Sequence, residues 1–186
     1  KDVNGQVVDV DFTYLYSDYL PAGMKAPFNL FVLDEQKSSR IASYSLAPEF
    51  SKQRPRKHEL EVLNVGKSTN SLGWLEVAGE VKNTGTATSQ FTKVIGTFYD
   101  AAGKVIFVDS TFTSPSDIPG GQSSGFKITL NDQAISARIS SDAIFAESQQ
   151  YTSIPELPYH AVIVAGILMS LSVMMLRKVT PQRHTP

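Results

Sequence analysis

The sequence predicts an all-β chain of tandem antiparallel sandwich modules closed by one C-terminal transmembrane α-helix. Three observations predict it. The chain matches itself without a gap when residues 98 positions apart are compared, so that Asp2 meets Asp100, Gly5 meets Gly103 and Phe28 meets Phe126. Apolar residues alternate in short runs broken by turn residues, as in half-buried strands. One uncharged apolar run stands close to the end, at Ala161–Leu176.

The self-match is densest over Tyr99–Leu130, which overlies Lys1–Val32. Val7, Val10, Asp11 and Thr13 fall on Val105, Val108, Asp109 and Thr111, and the match continues through Pro21/Pro119 and Gly23/Gly121 to Asp34/Asp132 and Arg40-Ile41/Arg138-Ile139. In the second copy this stretch follows a β-rich lead-in, Leu72–Tyr99. The register therefore places about thirty residues that open the first copy ahead of Lys1. The expectation is a first module lacking its N-terminal strands here. Strands borrowed from another chain by β-augmentation are the second option.

In the first copy, Val7–Tyr16, Phe28–Val32 and Arg40–Leu46 read as strands, with a turn at Leu20–Gly23. Ser51–His58 is the most basic run before the tail. It reads as a solvated connector, or otherwise as a contact for an anionic surface or a partner's acidic patch. In the second copy, Leu75, Val77, Gly79 and Val81 alternate with Glu76, Ala78, Glu80 and Lys82. Asn83-Thr84-Gly85 then turns the chain. Phe91–Tyr99 is β-branched and aromatic on both faces, as a central strand is. Asp100–Gly103 is a hairpin turn leading into Lys104–Phe112, Ile118–Gly121 breaks the chain again, and Phe126, Ile128 and Leu130 alternate. A last strand covers Ile139–Ala146, and no segment has a helical period. Some seven short strands in about a hundred residues read as an immunoglobulin-like sandwich.

Ala161–Leu176 as a helix rises about 24 Å, a little short of the roughly 30 Å hydrocarbon core, with Tyr159, His160 and Val179 able to extend it. Arg177, Lys178 and Arg183 follow it and Glu156 precedes it, which places the C-terminus in the cytoplasm and the modules outside. The organisation is thus 1–50, the C-terminal part of a first module; 51–63, a basic connector; 64–150, the second module; 151–160, a linker; 161–176, a transmembrane helix; and 177–186, a basic cytoplasmic tail.

Composition narrows the function. Seventeen Lys and Arg against eighteen Asp and Glu give a net charge of -1, with no basic excess to make nucleic acid a partner. There is no cysteine, hence neither a disulfide nor a thiolate metal site. Gly121-Gln122-Ser123-Ser124-Gly125 satisfies G-x-S-x-G, but a nucleophile elbow needs a strand before its serine and a helix after it. Here a Pro-Gly turn precedes Ser123 and a strand follows. The first copy, Gly23–Pro27, keeps the first glycine and has no serine.

His58, His160 and His184 lie in connector, membrane edge and tail, too far apart to converge on a metal. Asp2 and Asn4 have calcium-loop spacing without the bidentate glutamate that such a loop needs. Asp11 and Asp109 hold equivalent places in separate modules, which is no arrangement for a paired acid and base. No N-x-S/T sequon is present. The reading is that catalytic, cofactor-binding and metal residues are absent.

Gly79-Glu80-Val81-Lys82-Asn83, Phe98-Tyr99-Asp100 with Gly103-Lys104-Val105, Ile118-Pro119-Gly120 and Phe126-Lys127-Ile128 resemble the FxLYD family of extracytoplasmic β-sandwich modules. The resemblance covers Leu72–Leu130, and the first copy shares its later half. Gly96 stands where the family's first Phe would be, and Phe98 replaces its Leu. The resemblance implies structural motif residues and no active site. Pro155-Glu156-Leu157-Pro158, the apolar run and the basic end are similar to PEFG-type sorting tails of ammonia-oxidising archaea, departing from Pro-Glu-Phe-Gly in the last two positions. That implies an archaeal surface protein anchored in the bilayer through Ala161–Leu176.

Two functions fit. One is a non-enzymatic binding or structural module at the cell surface. The other is an accessory single-helix subunit of a larger membrane complex, with Gly166 and Ser170 as a small-xxx-small helix contact. A hydrolase at Ser123 is a third reading, which the context of the motif disfavours.

Overall fold

A computed structural model describes residues 1–153 apart from residues 22 and 53. The expected transmembrane helix at 161–176, the tail at 177–186 and most of the linker lie outside the described residues. Among the described residues no helix is long and apolar enough to cross a membrane.

The described chain is mostly β. Seven strands, β1 (Lys57–Thr69), β2 (Leu75–Asn83), β3 (Lys93–Tyr99), β4 (Val105–Phe112), β5 (Ser123–Leu130), β6 (Ser141–Glu147) and β7 (Tyr151–Ser153), lie in the order β4-β3-β6-β7-β1-β2-β5. Every pairing is antiparallel except β1 with β7, which is parallel. A bridge between Ser114 and Gly125 draws the two edge strands together, so the sheet is nearly closed.

Alternation decides which face each strand buries. In β2, Val77 and Val81 point inward, and in β5 Phe126, Ile128 and Leu130 do. Val77, Val81, Phe126 and Ile128 meet Val94 and Phe98 of β3, Ile144 and Ala146 of β6, and Leu60 and Val62 of β1 in one core. The register sets Gly79 opposite Phe126. A Cβ at Gly79 would lie 2.9 Å from the Phe126 ring, so the aromatic fills the space that glycine leaves. A Cβ at Gly96 would likewise lie 2.9 Å from Ile128 and from the Phe98 ring, which is why no bulky residue stands there.

Asn83 ends β2 fully buried. Its Nδ2 donates to the carbonyls of Ala87 and Ile118 at 2.8 Å each, and its Oδ1 accepts from the Gly85 amide at 2.9 Å. One side chain thus ties the β2–β3 turn to the Ile118–Gly121 turn. A buried amide so fully satisfied is stabilising; losing it would leave the Gly85 amide and the Ala87 carbonyl unpaired, while the Ile118 carbonyl keeps the Ser89 amide.

Three elements differ from expectation. Strand β1 begins at Lys57, inside the stretch read as connector, and β7 occupies the start of the stretch read as linker. A one-turn helix, α2 (Gln133–Ser136), stands where no helical period is visible, because a single turn has no period to show. Asp132 caps it, its Oδ1 accepting from the Ile135 amide at 2.9 Å.

The first copy differs more. Among the described residues of 1–50 there is no strand, only the one-turn helix α1 (Glu35–Ser38), so Val7–Tyr16, Phe28–Val32 and Arg40–Leu46 are not in a ladder. The turns and caps around them nevertheless match those of the second copy. Asp2 Oδ1 accepts from the amides of Asn4 and Gln6 as Asp100 Oδ1 does from Ala102 and Lys104. Gly5 and Gly103 both take positive φ, 78° and 74°. Asp34 caps α1 as Asp132 caps α2, Arg40 lies beside Asp2 as Arg138 lies beside Asp100, and the Tyr16 amide donates to Pro27 as that of Ser114 does to Gly125.

What is missing is the partner. In the second copy β4 and β6 both pair with β3, and β5 pairs with β2. No β2 or β3 counterpart lies among the described residues of the first copy. Turns and caps form from neighbours in sequence; strands need a second strand.

Candidate functional site

Strand β3 is central, and so its outward residues need cover as well. Ile95, Thr97 and Tyr99, with Ala143 and Phe145 of β6, face Tyr19, Leu20, Met24 and Pro27 of the first copy across a cavity of about 60 Å³. Ile95 and Thr97 are buried there. The aromatic and β-branched composition on both faces of this strand thus has a structural cause, since the first copy roofs the second.

The roof is fixed at one polar point. Glu147, at the end of β6, is 2% exposed. Its carboxylate accepts from the Ser17 hydroxyl at 2.8 Å and the Asp18 amide at 2.9 Å, and Lys93 Nζ lies 3.0 Å away. Lys93 also reaches Asp18 at 3.2 Å. A carboxylate out of water is costly unless a cation and donors surround it, and here the donors come from the first copy and the cation from β3. The arrangement holds two parts of the chain in one orientation. Sequence reading missed Glu147, Lys93, Ser17 and Asp18. A signal was present, since Glu49 and Glu147 also share the 98-residue register and Glu147 directly ends an apolar run.

The connector is partly engaged. Arg56 Nη1 donates to the Ser148 carbonyl at 2.7 Å, and its guanidinium lies 5.3 Å from the centre of the Tyr19 ring. Arg54, Arg56 and Lys57 line an open depression with Gln149, Gln150 and Tyr151. Arg56 is therefore a second tie between the copies, whereas Arg54 and Lys57 are exposed.

Residues with chemical potential are scattered. Ser123 opens strand β5 and no helix follows it; its neighbour Ser124 donates to the Pro115 carbonyl at 2.6 Å. His58 is 3.0 Å from the Thr152 hydroxyl, while His160 and His184 lie outside the described residues. Asp11 and Asp109 each accept from the next amide along the chain. Among the described residues no three His, Asp or Glu side chains are grouped to hold a metal ion.

Two ionisable groups are displaced. Asn70, and then Lys127, hold the Glu76 carboxyl below its ordinary range by hydrogen bonding to the charged form. Burial pushes the Tyr99 phenol up, partly offset by its hydrogen bond with Thr97. Glu76 lies on the exposed face of β2, and Tyr99 ends β3 under the roof. Neither is beside a nucleophile.

No family model matches the chain, and no curated protein matches it. Among solved structures, a DUF1425 family member from Shewanella sp. pv-4 is similar at 14% identity and a TM-score of 0.35, over 48% of this chain and 77% of that one. Campylobacter jejuni cj0090 is similar at 17% identity and a TM-score of 0.32, over 53% and 94%.

Proposed function

We propose that this chain is a membrane-anchored, extracellular β-sandwich protein that binds or supports other proteins at the cell surface and is not an enzyme. The observation that carries the reading is how the polar residues of the second module are used. Asn83, Ser124 and Glu147 bond to the chain's own turns and loops, and Ser123 stands on a strand without the helix a nucleophile elbow needs.

The immunoglobulin-like assignment is supported by topology. Antiparallel ladders β1-β2-β5 and β4-β3-β6-β7 share one core, with terminal β1 and β7 side by side. The FxLYD resemblance is supported by what its residues do, since Gly79 accommodates Phe126 and Asn83 ties Ile118. Anchoring rests on the uncharged run Ala161–Leu176 followed by Arg177 and Lys178.

The test is fractionation with protease shaving. The full chain is expected in the membrane fraction, with the modules cut by external protease and the C-terminus protected. Recovery of the full chain in the soluble fraction, or a hydrolase activity abolished by Ser123→Ala, would overturn the reading. Gly166 and Ser170, four residues apart in the apolar run, favour a second reading, an accessory subunit of a larger membrane complex. Gentle detergent extraction and sizing separates the two, because a stoichiometric complex supports the subunit and a lone chain the independent surface protein.

A further inference from the structure

We propose that the β1–β2 turn, residues 70–74, is a second membrane contact, with Leu72 and Trp74 seated among the lipid headgroups beside the point where the chain enters the bilayer. The proposal rests on the anchoring reading above and adds which end of the module meets the lipid.

The sheet supplies the direction. Strand β7 runs parallel to β1 with Ser153 beside Leu60, so the chain leaves the module heading for the end at which β1 turns into β2. The opposite end is where the chain arrives from the first copy, at Lys57. Length agrees with direction. From Leu60 to Thr69, the end of β1, nine steps along the strand rise about 30 Å. From Ser153 to Ala161, the start of the apolar run, eight steps reach at most about 29 Å. A bilayer entered at Ala161 can therefore lie level with the turn, and it cannot lie far beyond it.

The turn holds an apolar residue at its apex. Asn70 Oδ1 accepts from the amides of Leu72 and Trp74 at 3.0 and 3.1 Å, and the Asn70 amide donates to the Trp74 carbonyl at 3.0 Å. Gly73, at a φ of 78°, donates to the Asn70 carbonyl at 2.9 Å. Gln133 of α2 adds a bond to the Leu72 carbonyl at 3.4 Å. On this tied loop Leu72 is 61% exposed and Trp74 half-buried. Ser68–Leu75 is a run of eight uncharged residues between Lys67 and Glu76. Water disfavours a leucine fixed in that position. The headgroup region favours it, together with an indole whose ring is apolar and whose N–H is polar.

Trp74 is the sole tryptophan of the chain, so its emission reports this turn alone. The experiment reconstitutes the full chain into phosphatidylcholine vesicles with and without bromine on the upper acyl carbons. Either orientation of the chain sets the turn against one leaflet, so sidedness does not affect the result. Bromolipid is expected to quench Trp74 about twofold, and Leu72→Glu to restore the emission to its bromine-free level. Leu72→Ala, which adds no charge, is expected to fall between the two, with circular dichroism as the folding control. Unquenched Trp74 in a chain that resists carbonate extraction overturns this proposal and leaves anchoring standing, whereas release by carbonate overturns both. Quenching that is unchanged in both variants also overturns it. So does shielding of Trp74 that rises with chain concentration in lipid-free detergent, which would mean that a second copy covers the turn.

Discussion

Residues 1–49 and 99–147 contain the same turn, the same capped helical turn and the same placement of apolar residues, yet one copy is a ladder around a core and the other is not. The difference separates two kinds of folding information. Asp2 and Asp34 shape their turns from a few residues away, and the bonds from Asn4 and Lys37 to them recur as those from Ala102 and Ile135 to Asp100 and Asp132. Strand order and burial come from β2 and β3, which only the second copy has among the described residues. Local conformation is encoded piece by piece, whereas the core belongs to the whole module.

Matched substitutions test this directly. Phe126→Ala is expected to lower the unfolding free energy of the second module by about 3–5 kcal/mol, and Phe28→Ala by less than about 0.5 kcal/mol in the chain as it stands. Equal losses in denaturant titrations would mean that the first copy is packed, and the contrast would fail. Glu147→Gln removes the charge that Lys93, Ser17 and Asp18 surround, at an expected cost of about 1.5–3 kcal/mol, whereas Glu49→Gln is neutral. A double-mutant cycle with Ser17→Ala reads the coupling across the copies, and zero coupling would sever the proposed tie.

Helix caps give a smaller effect. Asp132→Ala is expected to cost about 1 kcal/mol of module stability, while Asp34→Ala leaves the module unchanged and only loosens α1, as amide shifts would report. Smallest are the two pH limbs. Tyr99 has a raised pKa in the fold, so the stability tied to its neutral form is complete below the ordinary tyrosine pKa and is lost as pH rises through the raised one. Tyr99→Phe is expected to flatten that alkaline limb. Glu76 has a lowered pKa, so its contribution is present above the ordinary glutamate pKa and falls away as acid protonates it. Asn70→Ala is expected to shift the Glu76 titration upward in NMR, and no shift would remove Asn70 as its main cause.

Much of the second module was legible. The alternations in Leu75–Lys82 and Phe126–Leu130 and the turn at Asp100–Gly103 all appear where the pattern puts them, because period and turn chemistry act locally. Strand β1 was hidden by its basic start and by an irregularity between Leu63 and Gly66, where Asn64 takes a φ of 55° and breaks the alternation. β7 is too short to show a period. The partners of Glu147 were hidden for another reason, since Ser17 and Asp18 lie about 130 residues earlier and Lys93 lies directly opposite on β3, and nothing in a local window links them. In the first copy, Val7–Tyr16, Phe28–Val32 and Arg40–Leu46 carry a strand pattern and form no strand, because a pattern supplies only one side of a ladder.

The parallel pair β1 and β7 has a mechanical consequence. Lys57 lies beside Tyr151 and Leu60 beside Ser153, so the chain enters at the start of one strand and leaves from the end of its parallel neighbour. Tension applied between the residues before Lys57 and those after Ser153 pulls the two strands in opposite directions along a common axis. The hydrogen bonds between them are then loaded together in shear and do not open one after another.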